Sequence, residues 1–389
     1  MERQVIHLNV AHFMAAVEEA LDPSLKGRPF VIAPEGAERA VAVEVSRAAF
    51  SEGLRRGMPL AKARAALPGL KVLPVREGLY RRAGAALFEI ASGFSPLLES
   101  PGGGHLFVDI TGTRRLFGHP VDCAARLREE AVRRAGLRPV AGLAVNRLVS
   151  KIGTRVVKPD GFVVIGPGDE PGFLRHQQVS LVPGVGEKLL GRLGLLGIRE
   201  MGELASLSDS DASAFLGRHG PVLRDRARGI DSAPLSVHRA EERGIRASHL
   251  FDTDTSDADE IEAALRVIVE DAGVALRSDG LAARAVEVGL SYSDRLRARG
   301  FAALPVPTWR DAELFQSART ALCRAMTRRV RVRRVAVALL RPVHAERQAE
   351  LFAPPEAAKE EALQAALDSI RSRYGRGAVR TASAMNLLA

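Results

Sequence analysis

Cysteine and long apolar stretches are what this chain has least of. Its two cysteines, Cys123 and Cys323, are far apart and in no CxxC spacing, so neither a disulfide framework nor a zinc site is indicated and a reducing cytoplasm fits. Nowhere do about 18 apolar residues follow one another, and Met1-Glu2-Arg3-Gln4 runs straight into a strand-like pattern, so nothing directs the chain to a membrane. Acidic residues are outnumbered, 46 against 56 Lys plus Arg, giving a formal charge of +10 and a pI near 10.2. That balance favours a polyanion as partner, nucleic acid first and a membrane surface second, although a GC-rich genome alone would also inflate Arg. What is present is ample apolar material: 46% of 389 residues, enough for several cores in two to four domains.

Val5 to Val10 reads as a buried strand, and Phe13 to Ala20 as the following helix, with Phe13, Ala16, Val17 and Ala20 at helical spacing. Strand-like Pro96 to Glu99 and His105 to Ile110 flank Ser100-Pro101-Gly102-Gly103-Gly104, which reads as a turn. Strands and helices alternate through the first 165 residues or so, and short helices with Gly and Pro punctuation follow from Gly168 to about Ala233. Beyond a polar connector, Ile245 to Leu250 precedes a helix capped at Ser256, with Asp259 at the box position and Ile261, Leu265, Ile268, Ala272 and Leu276 on one face. Alternating Ala283 to Tyr292, helical Asp311 to Met326 and alternating Val330 to Leu340 complete a small α/β unit. A final helix, about Glu356 to Tyr374, carries Leu363, Leu367 and Ile370 on one stripe, which either packs on that unit or recruits a partner.

The run from His7-Leu8-Asn9-Val10 through His12-Phe13-Met14-Ala15-Ala16-Val17-Glu18 resembles the opening of the Y-family, translesion-type DNA polymerases (DinB/UmuC-like). The likeness continues through Gly57-Met58-Pro59, Val108-Asp109-Ile110-Thr111, Lys151-Ile152, Lys158-Pro159-Asp160-Gly161 and Val182-Pro183-Gly184-Val185-Gly186. It implies an α/β and α+β multidomain fold in that family's right-hand arrangement. Residues 1–20 and 77–167 would be palm and 21–76 fingers. Residues 168–233 would be a helical thumb with a helix-hairpin-helix, and 234–243 a linker. The little finger, 244–345, would have βαββαβ order, and 346–389 would be a clamp-binding tail and C-terminal helix.

Polymerisation is an in-line phosphoryl transfer in which carboxylate-held Mg²⁺ ions stabilise the attacking and leaving oxygens. The resemblance puts the three metal-binding carboxylates on Asn9, Gly104 and His105, none of which supplies a negative charge, and imidazole is a poor ligand for so hard an ion. It puts the triphosphate-contacting Tyr and Arg on Arg47 and Phe50 and the sugar gate on Met14; Lys158 alone matches a family lysine for the triphosphate. Asp109, Glu18 and Glu44 are carboxylates beside a sheet, a setting more often structural, and no relocated metal centre is expected from them.

Gly184 and Gly186 before Lys188 allow a tight turn at a helix N-terminus whose free N–H groups could hold a DNA phosphate without reading sequence. In Thr327-Arg328-Arg329-Val330-Arg331-Val332-Arg333, a strand would place Arg329, Arg331 and Arg333 on one face, suited to a duplex backbone. Gln348-Ala349-Glu350-Leu351-Phe352 resembles the bacterial sliding-clamp-binding pentapeptide, with Gln348 polar and Leu351 and Phe352 filling an apolar pocket.

These readings converge on an expectation. The chain would be no enzyme but a cofactor-free, cytoplasmic DNA-repair factor similar to the ImuB-type mutagenesis accessory proteins. It would bind primer-template or damaged DNA and the bacterial sliding clamp, and work beside another error-prone polymerase and a RecA-like accessory protein. The rival expectation is an active, error-prone lesion-bypass DNA polymerase with an unusual metal site, in which case Mg²⁺ would be needed.

Overall fold

The structure is a computed structural model that describes residues 2–34, 40–235, 244–345, 355–374 and 378–381. Packing divides the chain into two units, one of residues 1–33, 41–58 and 62–239, the other of residues 34–40, 59–61 and 240–389. Among the described residues no helix is long and apolar enough to cross a membrane.

Thirteen strands are described. In chain order β1 is Val5–Asn9, β2 Phe30–Ile32, β3 Glu44–Val45, β4 Lys71–Leu73, β5 Leu98–Gly102, β6 His105–Asp109 and β7 Val140–Ala144. They continue as β8 Phe162–Val164, β9 Ile245–Thr255, β10 Leu281–Tyr292, β11 Arg297–Thr308, β12 Val332–Leu340 and β13 Val343–His344.

In the first unit the main sheet runs β5-β6-β1-β7-β8. All five β1 residues are buried, as a central strand covered on both faces requires. Helices Glu77–Ser92 and Pro120–Ala135 share an apolar core with it, through Ile90, Ala91, Cys123, Ala124 and Leu127 against Ile6, Leu8, Leu106 and Val108. A small sheet, β3-β2-β4, stands beside the helix Phe13–Leu21. Five short helices between Glu170 and Ala227 join the core of the helix Arg147–Val156, with Leu148, Val149 and Ile152 packed among Leu174, Met201, Leu204 and Leu223.

The β5–β6 turn is tighter than the glycine run suggests: β5 extends through Gly102, which pairs with His105. Only Gly103 and Gly104 are left at the tip, both at positive φ, 61° and 77°, as a two-residue hairpin turn of the primed type demands.

The second unit follows the expected βαββαβ order, with sheet order β11-β10-β12-β9 and helices Ala258–Ser278 and Asp311–Ala325 burying their apolar faces on it. The first of those helices is capped by Asp257, not Ser256; its carboxylate accepts from the amides of Asp259 and Glu260. Ser256 and Asp257 are both competent caps, and the chain direction selects the second. The Val/Arg alternation also breaks: β12 begins only at Val332, and its pairing with β9 slips between Val332 and Arg334. Arg329 and Arg331 therefore precede the strand, while Val332 and Val335 are both buried.

The final helix, Pro355–Tyr374, rests on this unit through charge. Arg371, 4% exposed, donates to Glu270 at 2.7 Å and to Asp311 at 3.2 Å. Arg277 clasps Asp368 and Asp311, and Arg380 reaches Asp271 at 3.1 Å. Leu363, Ile370 and Tyr374 on the same helix are exposed.

Candidate nucleotide and nucleic-acid site

The ends of β1 and β6 meet at the place the sequence singles out. Antiparallel pairing sets Asn9 opposite His105, and the Val10 amide donates to the Gly104 carbonyl at 2.9 Å, so Asn9, Gly104 and His105 do come together. Phe13, at the first turn of the next helix, lies over Gly104: a Cβ added there would fall 2.8 Å from the Phe13 ring. Neither the backbone nor the space favours a side chain at position 104.

A chain of hydrogen bonds ties this point to the helix Arg147–Val156. The Thr154 hydroxyl lies 2.8 Å from the Lys151 carbonyl, to which it donates, and 2.6 Å from His7 Nδ1. His7 Nε2 lies 3.0 Å from His105 Nδ1. A single proton between the facing ring nitrogens, on either ring, completes the chain with both imidazoles neutral. The electrostatics favour that neutral state. Burial first, then the His105 ring and the cations of Lys151, Lys158 and Arg155, hold the His7 pKa well below the ordinary value. Burial and the same three cations push His105 down to about 4.

Residues in reach of the site are themselves cationic. Burial, then Arg155 and Arg147, lowers the Lys151 ammonium pKa, and burial, then Arg155, lowers that of Lys158. Arg155, half-buried, donates to the Leu181 carbonyl at 2.6 Å. Lys151 entered the sequence analysis only as part of the family likeness and Arg155 was not singled out; their i, i+4 spacing was the available signal.

The nearby carboxylates are already engaged. Asp109 pairs with Arg3 at 3.1 Å and sits opposite Val5, the far end of β6, about 13 Å from His105 at strand rise. Glu18 is buried with Tyr80, 2.7 Å away, and Arg76; Glu44 lies 3.7 Å from His12 and 3.8 Å from Arg56. Among the described residues no group of three His, Cys, Asp or Glu side chains could hold a metal ion. Mg²⁺ therefore does not fit the residues present: the three positions offer an amide, no side chain and a neutral imidazole, in cationic surroundings.

The remaining candidates spread out. Met14 is half-buried on the helix Phe13–Leu21. Arg47 is exposed at the start of the helix Arg47–Ser51. The exposed Phe50 ring stacks under the Arg55 guanidinium, 3.9 Å from the ring centre, with His12 tilted against it. Gly184 takes φ 103° and a Cβ there would meet Arg226, whereas Gly186 caps the helix Glu187–Leu195 with open space around it and Lys188 is exposed. Arg333 is bound to Asp254 at 3.0 Å, while Arg329 and Arg331 are exposed. Gln348, Leu351 and Phe352 lie outside the described residues.

Comparison with known proteins decides the family. The impB/mucB/samB family profile matches residues 8–155, and the profile of its C-terminal domain matches residues 242–351. A DNA polymerase IV of Dehalococcoides mccartyi (strain ATCC BAA-2266 / KCTC 15142 / 195) is 31% identical over 380 residues, 97% of each chain. The chain belongs to the impB/mucB/samB family of Y-family DNA polymerases. DNA polymerase IV of Halorhodospira halophila is 33% identical over 354 residues, 90% of this chain and 98% of that one. Among solved structures, a Y-family DNA polymerase chimera of Dbh and Dpo4 superposes with TM-score 0.71 at 22% identity over 87% of this chain and 98% of its own. An insertion ternary complex of Dbh DNA polymerase gives TM-score 0.63 at 22% identity over 87% and 98%.

These matches correct one expectation. The lack of charge at three ligand positions suggests no enzyme. Its relatives of matching length are named DNA polymerase IV and its fold is that of Y-family polymerases, which points to a DNA polymerase. Three uncharged positions weigh less than a likeness that runs the length of the chain.

Proposed function

We propose that this family member is a DNA-directed DNA polymerase of the lesion-bypass type, acting on primer-template DNA, whose metal chemistry departs from the three-carboxylate pattern. The observation that carries this is the end-to-end match, 97% of both chains, to a DNA polymerase IV.

The chain's own residues suit the binding half of that task. Lys158 with Lys151 would oppose the charge of an incoming triphosphate, and exposed Phe50 would offer an apolar face to the nucleotide. Gly186 and Lys188 at a free helix N-terminus would hold one DNA phosphate, and Arg329 and Arg331 others. Mg²⁺ does not fit Asn9, Gly104 and His105, so these three positions would not be its ligands. Sliding-clamp binding through Gln348, Leu351 and Phe352 belongs to this reading on sequence grounds. The ImuB-type associations, with another error-prone polymerase and a RecA-like protein, rest on resemblance alone and form no part of it.

Primer extension by the full chain tests the reading, on undamaged and lesion-bearing templates, with Mg²⁺ and with Mn²⁺. Template-directed addition with either ion supports it. Tight binding of primer-template with no addition under either ion rejects it. Alanine at Gln348, Leu351 and Phe352 together should abolish retention by the clamp and leave addition on short oligonucleotides unchanged.

A further inference from the structure

At the junction of β1 and β6 the charge has the wrong sign for a metal and the right one for an anion. Lys151, Thr154 and Arg155 recur at i, i+3 and i+4 and so share one face of the helix Arg147–Val156, and Lys158, just past the end of that helix, lies close enough for its charge to act on His7 and His105. Thr154 shows where that face points, because its hydroxyl touches His7, which in turn touches His105. The carboxylates whose fields reach these lysines, Glu99 for Lys151 and Glu44 for Lys158, are occupied by Arg147 in one case and by His12 and Arg56 in the other.

An independent observation points the same way. Asn9, 2% exposed at the end of β1, has its Nδ2 buried without a hydrogen-bond partner. A buried N–H donor left unpaired calls for an acceptor oxygen.

We propose that this junction is a phosphoanion site that needs no divalent cation, in which Lys151, Lys158 and the Asn9 amide hold a phosphate or polyphosphate group where the family's carboxylates would hold Mg²⁺. The ligand class rests on the nucleotide-handling half of the proposed function, but the absence of a metal requirement does not. The same chemistry has two sources, a free polyphosphate such as that of a nucleotide, and a phosphate of the DNA backbone.

The test is binding in EDTA by the full chain, with inorganic tripolyphosphate and dTTP in one arm and a primer-template oligonucleotide in the other. The site is supported when either arm binds in EDTA at least as tightly as in Mg²⁺ and weakens roughly tenfold, one charge-assisted contact, in Lys158→Ala. Which arm responds names the source. Lys158 is exposed and lies beyond the helix, so this variant keeps the fold; Lys151→Ala should act alike, with Lys151→Arg restoring binding. Asn9→Asp, an isosteric gain of negative charge, should weaken binding in EDTA. The proposal is overturned when both arms require Mg²⁺, when the lysine variants bind as wild type in EDTA, or when Asn9→Asp tightens the complex. Primer extension on the same samples reads the polymerase assignment separately: anion binding in EDTA without extension keeps this site and rejects that assignment, and extension with strictly Mg²⁺-dependent binding does the reverse.

Discussion

Gly104→Ala is expected to be far more damaging than the same change one residue earlier. Gly103 and Gly104 form the tip of one hairpin and both hold positive φ, 61° and 77°, but only the second is crowded: its Cβ would lie 2.8, 2.9 and 3.0 Å from three atoms of Phe13, whereas nothing stands within 4 Å of the first. An alanine in the left-handed region loses about 1–2 kcal/mol, offset by a few tenths from a less flexible unfolded chain. Gly103→Ala should therefore destabilise its unit by about 1 kcal/mol. At position 104 the buried Phe13 must also move, which adds the about 1–3 kcal/mol typical of overpacking. Hydrogen exchange reads this locally through the Val10 amide, which donates to the Gly104 carbonyl. The single tryptophan, Trp309, lies in the other unit, so its unfolding transition should not shift. Equal losses at 103 and 104, or a Trp309 transition that moves with them, would refute the steric argument. Gly104→Asp inherits the same obstruction, so placing a carboxylate here is a folding problem before it is a chemical one.

Three further outcomes are expected. His7 and His105 both titrate below their unfolded value near 6.5, His105 at about 4. The unfolded chain then binds more protons than the native one between those pH values, so stability holds above about pH 6.5 and falls as pH drops toward 4, by at most about 3 kcal/mol for His105. Urea midpoints from pH 7 to 4.5 check this, and a His105→Gln slope as steep as wild type would count against it. Arg371→Ala takes from buried Glu270 its shortest cationic contact, leaving the Thr381 hydroxyl at 2.8 Å and Arg380 at 3.6 Å, and should destabilise the second unit by about 1–3 kcal/mol. Trp309 fluorescence would register it, and Arg371→Met with Glu270→Leu should regain most of the loss. Arg331→Ala should lower the salt dependence of DNA binding by about one phosphate contact and Arg333→Ala by less, because Asp254 already holds Arg333; equal slopes would contradict that ranking.

Much of this was legible in the residues. The opening strand and helix, the βαββαβ order of the second unit and the family itself follow from local pattern and short motifs. What stayed hidden depends on pairs brought together by folding. Nothing near His7 in sequence announces His105 or Thr154 as partners, since strand register is what joins them. Arg333 reads as a free cation until Asp254, 79 residues earlier, closes on it. The break in the Val/Arg alternation required a slip in pairing that alternation itself conceals. The turn at the hairpin tip could not be placed within three consecutive glycines, each of which accepts positive φ. The enzymatic status failed for a different reason: missing ligands are visible in a sequence, but their weight against a whole-length likeness is not.

The last helix has a mechanical consequence. On one side of residues 346–354 the Ala345 amide is fastened to the Gly280 carbonyl at 2.8 Å; on the other, Arg371 and Asp368 are fastened to Glu270 and Arg277. Both anchorages belong to the same unit, so a pull applied between Ala345 and the last helix is shared between sheet and helix, and drawing the ionic rivet alone would leave the sheet to bear all of it.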